Sequence, residues 1–377
     1  MERRKALGLI AATGAATAAS FTAAPAFGAD AGRAAGTARQ GKTAAKGGYT
    51  FALDKNVKRT AVRFKNRYGI EVAADLYVPK KGKGKGKLPA LVVSGPFGAV
   101  KEQSSGLYAN EFARRGYVAL AFDPSFTGES GGTVRDVASP DIYTEDYSAA
   151  VDYLGLQKIV DRKRIGAQAV CGLSGMALTA AAADSRIKAV ATTSMYDMSR
   201  SITRGHEDYY TPEQRQKVVD HLSRQRWIDA ENGTYARLSH EVPIDENGNV
   251  APSDRVLPKT LPTDADLVTK SFFDYYRTER GYHPRSVNST TAWTATTPMS
   301  FFAFPLMTNI DMLAPRKALL VAGADAHSRY YSEDVQAKAP STVDLIIVPG
   351  ADHVDLYDRK DLIPFDRLDE FFTKNLA

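Results

Sequence analysis

Arg164-Ile165-Gly166-Ala167-Gln168-Ala169-Val170-Cys171-Gly172-Leu173-Ser174-Gly175-Met176 is the stretch on which the fold turns. A buried strand needs about six residues to cross a sheet, so a strand from Ile165 ends at Val170. Met176 to Asp184, rich in Ala, then reads as a helix. Such a sharp strand-to-helix turn can present a nucleophile, provided the residues two before and two after it are small. With Ser174 as that residue, Gly172 fits and Met176 does not. With Cys171, Ala169 fits and Leu173 does not. Strand length puts Cys171 on the turn and Ser174 in the first helical turn, where it stays as the alternative nucleophile. A thiolate at a helix N-terminus is also favoured by the dipole and the free N–H groups.

Outward from this junction, short apolar runs alternate with helical segments, which predicts an α/β fold with a mostly parallel sheet and flanking helices. The expected strands are Lys58–Lys65, Ile70–Val78, Ala90–Ser94, Tyr117–Asp123, Ile165–Val170, Ile187–Thr193, Lys317–Val321 and Val343–Val348. A helix over Leu362–Asn375 closes the chain. Residues 49–196 and 315–377 form the core, and 197–314 are too many for a structureless loop. They read as a helical cap inserted between core strands six and seven. Thr211-Pro212-Glu213-Gln214 is a capping box, and Thr263 is expected to cap a second helix carrying Val268, Phe272, Tyr275 and Tyr276 on one face. Of the cap's aromatic residues Tyr209, Tyr210, Trp227, Phe272, Phe273, Trp293, Phe301 and Phe302, most are expected in its own core and a minority along a substrate pocket.

In a fold that presents its nucleophile on such a turn, the partners follow in the chain order acid, then base. The loop after Leu320–Gly323 carries Asp325, with Glu333 and Asp334 as nearby acids and His327, two residues on, as a pocket residue or a rival base. The loop after the last strand carries His353, where a general base belongs. A carboxylate at Asp325 would fix the His tautomer. Oxyanion-hole N–H groups are expected from Phe97 or Gly98, in the loop after Ser94, and from Gly172. His327 and Trp293 are possible pocket residues.

The 377 residues, 44% hydrophobic and 24% charged, suffice for a large core without staples. A single cysteine excludes an internal disulfide and a multi-thiolate zinc site. Nothing implies a metal or organic cofactor. The net charge of +6 is concentrated: residues 1–48 hold seven Lys/Arg against two acids, and Lys80–Lys87 supplies five more cations. The rest has no basic face, which excludes a nucleic-acid partner. Arg3-Arg4-Lys5-Ala6-Leu7, an uncharged stretch to Ala24 and small residues to Ala29 read as a twin-arginine export signal over residues 1–29, followed by a linker over 30–48. The expected product is an exported protein, periplasmic or secreted, and not an integral membrane protein.

Asp123-Pro124-Ser125-Phe126-Thr127-Gly128-Glu129-Ser130-Gly131-Gly132 resembles the D-x-x-G-x-G-x-S loop of α/β-hydrolases, with Phe-Thr replacing part of it. Ser94–Tyr108 (SGPFGAVKEQSSGLY), Ser194–Arg200 (SMYDMSR), Arg280–Asn288 (RGYHPRSVN), Ala326–Glu333 (AHSRYYSE) and Val354-Asp355-Leu356-Tyr357-Asp358 resemble a dienelactone-hydrolase-related group of that superfamily. The group includes fungal polyketide transferases and thiohydrolases, and the likeness runs from Tyr49 to Leu376. Where relatives carry G-I-C-G-x-G-G at the turn, this chain has Ala169 for the first Gly and Ser174 for the penultimate one. Where they can carry Glu, it has Ala324. The resemblance implies a Cys171 nucleophile and a hydrolase of a small ester, thioester or lactone acting through an acyl-enzyme. An acyl or polyketide transferase, or a binding protein on a catalytically silent scaffold, are the alternatives. Oligomeric state is not legible.

Overall fold

The computed structural model describes residues 48–80 and 86–377. The expected export signal and nearly all of the linker lie outside the described residues, as does most of the Lys/Gly run.

Eight strands form the main sheet: β1 (Val57–Lys65), β2 (Glu71–Pro79), β3 (Leu88–Ser94), β4 (Val118–Phe122), β5 (Val160–Val170), β6 (Ala189–Thr193), β9 (Lys317–Gly323) and β10 (Val343–Val348). Two short strands, β7 (Arg237–Leu238) and β8 (Trp293–Thr294), pair separately in the cap. The sheet order is β1-β2-β4-β3-β5-β6-β9-β10. β1 and β2 are antiparallel to their neighbours and the other six run parallel. All eight expected strands are present, and β5 starts earlier than expected, at Val160.

Alternation along the strands splits the core into two faces. Ala90 and Val92 of β3, Val118, Leu120 and Phe122 of β4, and Ala318 and Leu320 of β9 point one way. They pack under α2 (Pro140–Leu156), α3 (Ser174–Ala183) and α8 (Arg329–Lys338). Leu91, Val93, Ala119, Ala121, Leu319 and Val321 point the other way, under α1 (Ser104–Arg115), α9 (Asp355–Asp358) and α10 (Phe365–Asn375). A strand covered on both faces must be apolar throughout, which is why β3, β4, β6 and β9 read as continuous apolar runs.

Between β6 and β9 the cap contributes α4 (Met198–Arg204), α5 (Pro212–Asn232), α6 (Leu267–Arg277) and α7 (Pro298–Ala303). The Thr211 capping box forms as expected, with the Thr211 hydroxyl accepting from Gln214 N–H and the Gln214 side chain accepting from Thr211 N–H. Thr263 does not cap α6. Asp266 does, its carboxylate accepting from Thr269 N–H at 2.9 Å, because Pro262 to Ala265 is consumed in a turn. Of the cap's aromatic residues Trp293 and Phe301 are buried, while Trp227 is 72% exposed on α5.

Candidate functional site

The loops at the carboxyl ends of β3, β5, β6, β9 and β10 converge, as they do in open α/β sheets at the ligand-binding edge. Cys171 is the residue after β5. Its φ of 58° lies in the left-handed region, strained for a side chain with a Cβ. Cys171–Leu173 forms one tight 3-10 turn and α3 begins at Ser174. Leu173, too large by the small-residue rule, fits because it joins the apolar cluster beneath α2 and α3, while Tyr147 donates its hydroxyl to the Leu173 carbonyl at 3.0 Å. Ser174 is fully buried, and its Oγ has no hydrogen-bond partner among the described residues.

Gly172 is required by proximity. A Cβ there would lie 2.5 Å from Phe97 Cβ and 3.1 Å from Phe97 N, so only glycine lets the loop after β3 come this close. That approach directs the backbone N–H groups of Phe97 and Gly172 at Cys171 Sγ. Gly98 has another task. At φ +82° it turns the loop against Asn288 and Ser289, and its carbonyl accepts from Ser286 Oγ at 3.0 Å. Behind Phe97, Trp293 stacks at 4.4 Å between ring centroids and is wholly buried.

His353 lies in the loop after β10, held by Ser194 Oγ, which donates to its carbonyl at 2.7 Å. Its Nε2 is 3.3 Å from Cys171 Sγ and 3.0 Å from the Tyr357 hydroxyl. The structure brings these two sequence-selected residues together. It does not bring Asp325. The chain turns tightly after Gly323, with Asp325 N–H on the Ala351 carbonyl and Ala326 N–H on Gly323, which leaves the Asp325 side chain exposed. The same turn places Ser328 under the imidazole, its Oγ 2.6 Å from Nδ1. The residue at the expected acid position is therefore a buried hydroxyl. His327 lies behind the site, Nε2 2.5 Å from the Tyr196 hydroxyl and its ring 5.0 Å from that of His353.

Among known proteins, residues 68–237 match the model of the X-Pro dipeptidyl-peptidase (S15) family. PA2218 of Pseudomonas aeruginosa, called an uncharacterized protein, is 53% identical over 87% of this chain and 83% of its own. Its crystal structure superposes with a TM-score of 0.80, covering 87% of this chain and 96% of that one. YcjY of Escherichia coli is 33% identical over 78% of this chain and 90% of its own. Thiohydrolase aneE of Aspergillus aculeatus is 34% identical over 34% of this chain and 39% of its own, and polyketide transferase claH of Penicillium crustosum is 30% identical over 34% and 42%. The α/β hydrolase GrgF from Penicillium sp. sh18 shares the fold at 19% identity, with a TM-score of 0.67 over 85% of this chain and 99% of its own.

The chain belongs to one family with PA2218 and YcjY, and it has the α/β-hydrolase fold. Its relatives include fungal thiohydrolases and polyketide transferases.

The electrostatics of the site follow from burial. Desolvation pushes the Cys171 thiol up to about 11, against the Tyr357 hydroxyl and the Phe97 and Gly172 amides, which pull it down. Burial, assisted by His327, drives His353 well below its usual value. His327 itself is pushed down to about 3, first by burial and then by His206. At neutral pH the resting pair is therefore thiol and neutral imidazole.

A cavity of about 90 Å³ lies over Sγ. Phe97, Tyr196, Phe272, Tyr276 and Tyr357 supply aromatic faces, and the cap adds Ser239, His240 and Glu241. His327 and Trp293 stand behind this wall rather than in it. Sequence reasoning missed Ser328, Tyr357, Tyr196 and Glu241. The first three fall inside stretches selected for family resemblance, so their segments were visible while their roles were not. Glu241 carried no signal.

A second buried assembly supports the loop after β3. Lys101 Nζ lies 2.5 Å from Glu102 Oε1, 2.5 Å from Glu129 Oε2 and 3.6 Å from Asp123 Oδ2. Arg285 pairs with Glu102 and stands 3.6 Å from Glu129. Three sequence-distant stretches, SGPFGAVKEQ, DPSFTGES and RGYHPRS, thus meet in one charge network. Burial opposes the Lys101 charge, but Asp123 and Glu102 outweigh it and raise its pKa.

Proposed function

We propose that this protein hydrolyses a small carboxylic ester, thioester or lactone through a thioester acyl-enzyme on Cys171. The observation that carries the reading is the 3.3 Å approach of His353 Nε2 to Sγ, within reach for proton transfer. In the reaction, Sγ attacks the carbonyl carbon as its proton passes to Nε2. The Phe97 and Gly172 amides hold the developing oxyanion. The imidazolium gives the proton to the departing alcohol or thiol; the neutral ring then takes one from the water that attacks the acyl carbon and passes it to Sγ as the C–S bond breaks, releasing the carboxylic acid and restoring the thiol. For Nε2 to act as the base, Nδ1 must carry the other proton and donate it to Ser328 Oγ. A Cys171–His353–Ser328 set thus replaces the expected Cys-His-Asp triad.

Mass spectrometry of the protein quenched during turnover of 4-nitrophenyl esters tests this. An acyl adduct on the peptide containing Cys171, absent in Cys171→Ala, is expected; turnover without such an adduct contradicts the reading. The likeness to polyketide transferase claH favours a second reading, in which an alcohol replaces water as acceptor, and product analysis with added alcohols separates the two. Export through residues 1–29 belongs to the same proposal and is tested by fusing that segment to a reporter.

A further inference from the structure

The cavity over Sγ has one charged group in its wall, the carboxylate of Glu241. That side chain has no hydrogen-bond or ion-pair partner among the described residues; only its backbone N–H is engaged, donating to Ser239 Oγ at 3.3 Å. The side chain is only partly exposed, and a ligand that displaces water from an unpartnered carboxylate at an apolar cavity must supply the donor in its place. Burial raises its pKa to about 6, which still leaves it mostly ionised at neutral pH. Beside it, His240 is pushed down to about 4 by burial, so it adds no compensating charge, and its Nδ1 is buried without a partner. The rest of the wall is electron-rich: the rings of Phe97, Tyr196, Phe272 and Tyr276. One carboxylate among aromatic faces is complementary to an ammonium group. It repels an anion, and an alkyl group would leave it unpaired.

We infer that the acyl group accepted by this enzyme is short and carries a protonated amine, which Glu241 and the surrounding rings recognise while the acyl carbon is bonded to Sγ. The acyl side is assigned because it stays on Sγ after the leaving group departs, and a cavity of about 90 Å³ takes only a short chain. This inference rests on the acyl-enzyme reading above and names its substrate class.

The test compares kcat/KM for three near-isosteric 4-nitrophenyl esters, β-alanyl, 3-hydroxypropanoyl and butanoyl, in the wild type, Glu241→Gln and Glu241→Asp. Expected is a β-alanyl to butanoyl ratio at least about tenfold higher in the wild type than in Glu241→Gln, with Glu241→Asp keeping part of the difference. Equal ratios in the wild type and Glu241→Gln overturn the inference, and so does a 3-hydroxypropanoyl ester preferred as strongly as the β-alanyl one. If the wild type turns over none of the three esters, the hydrolase reading fails separately. Thermal shift with β-alaninamide and butanamide then decides. Stabilisation by the amine alone, lost in Glu241→Gln, upholds the role of Glu241; equal shifts remove it.

Discussion

Ser328 Oγ lies 2.6 Å from His353 Nδ1, where the family's logic places a carboxylate. A hydroxyl can accept the Nδ1 proton and so fix the ring's tautomer, but it carries no charge to stabilise an imidazolium. This agrees with the downward shift of His353, whose causes are burial and a neighbouring histidine.

Two substitutions at this position separate orientation from charge. Ser328→Ala removes the acceptor for Nδ1–H, and kcat/KM should fall by about ten- to a hundredfold. Ser328→Asp restores a carboxylate, which favours the charged ring and raises the His353 pKa. The acid limb of the kcat/KM profile should therefore move to higher pH. A profile unchanged in Ser328→Asp would contradict the contact.

Cys171→Ala and His353→Ala should each lose on the order of a thousandfold or more in kcat/KM toward aryl esters and thioesters. Ser174→Ala should keep substantial activity. Because the buried Ser174 Oγ has no partner, deleting it should leave stability unchanged or raise it, as a urea midpoint would read. The opposite activity pattern would move the nucleophile into the helix.

Gly172→Ala places a Cβ 2.5 Å from Phe97 Cβ. Since neither backbone can retreat without parting the two amides, kcat should drop by about a hundredfold or more, with far-ultraviolet circular dichroism unchanged. Retained kcat would show that the two amides do not act together.

Lys101→Met leaves Glu102, Asp123 and Glu129 without their shared buried cation. Removing one partner of a buried ion network costs about 3–5 kcal/mol, a loss that chemical denaturation should resolve. Adding Asp123→Asn to Lys101→Met should recover part of it. A surface-like loss below about 1 kcal/mol would mean that water screens the network.

His327 is held neutral by burial, with its pKa at about 3 against an ordinary 6.5. As pH falls below 6.5 the unfolded chain gains a proton that the folded chain refuses, so folding stability is lost toward pH 3. His327→Gln removes this contribution. The wild type should therefore lose stability relative to the variant below about pH 6, by roughly 1 kcal/mol per pH unit, in paired urea titrations. Parallel curves would place the ring in contact with water.

The sequence alone determined the architecture, because patterning reports burial. Continuous apolar runs mark strands covered on both faces, and the length of β5 from Ile165 sufficed to put Cys171 on the turn. It also placed His353, since the base follows the last strand whatever that loop's exact path. It pointed to Asp325 and gave no sign that Ser328 would stand under the ring. Three residues in a tight turn decide which side chain lies beneath the ring, and that turn is set by Gly323 at the end of β9 packing against Ala351 in the loop after β10. Glu241 and Lys101 were hidden for the same reason. Whether a charge stands alone in a cavity or among partners depends on segments that meet only when the chain folds.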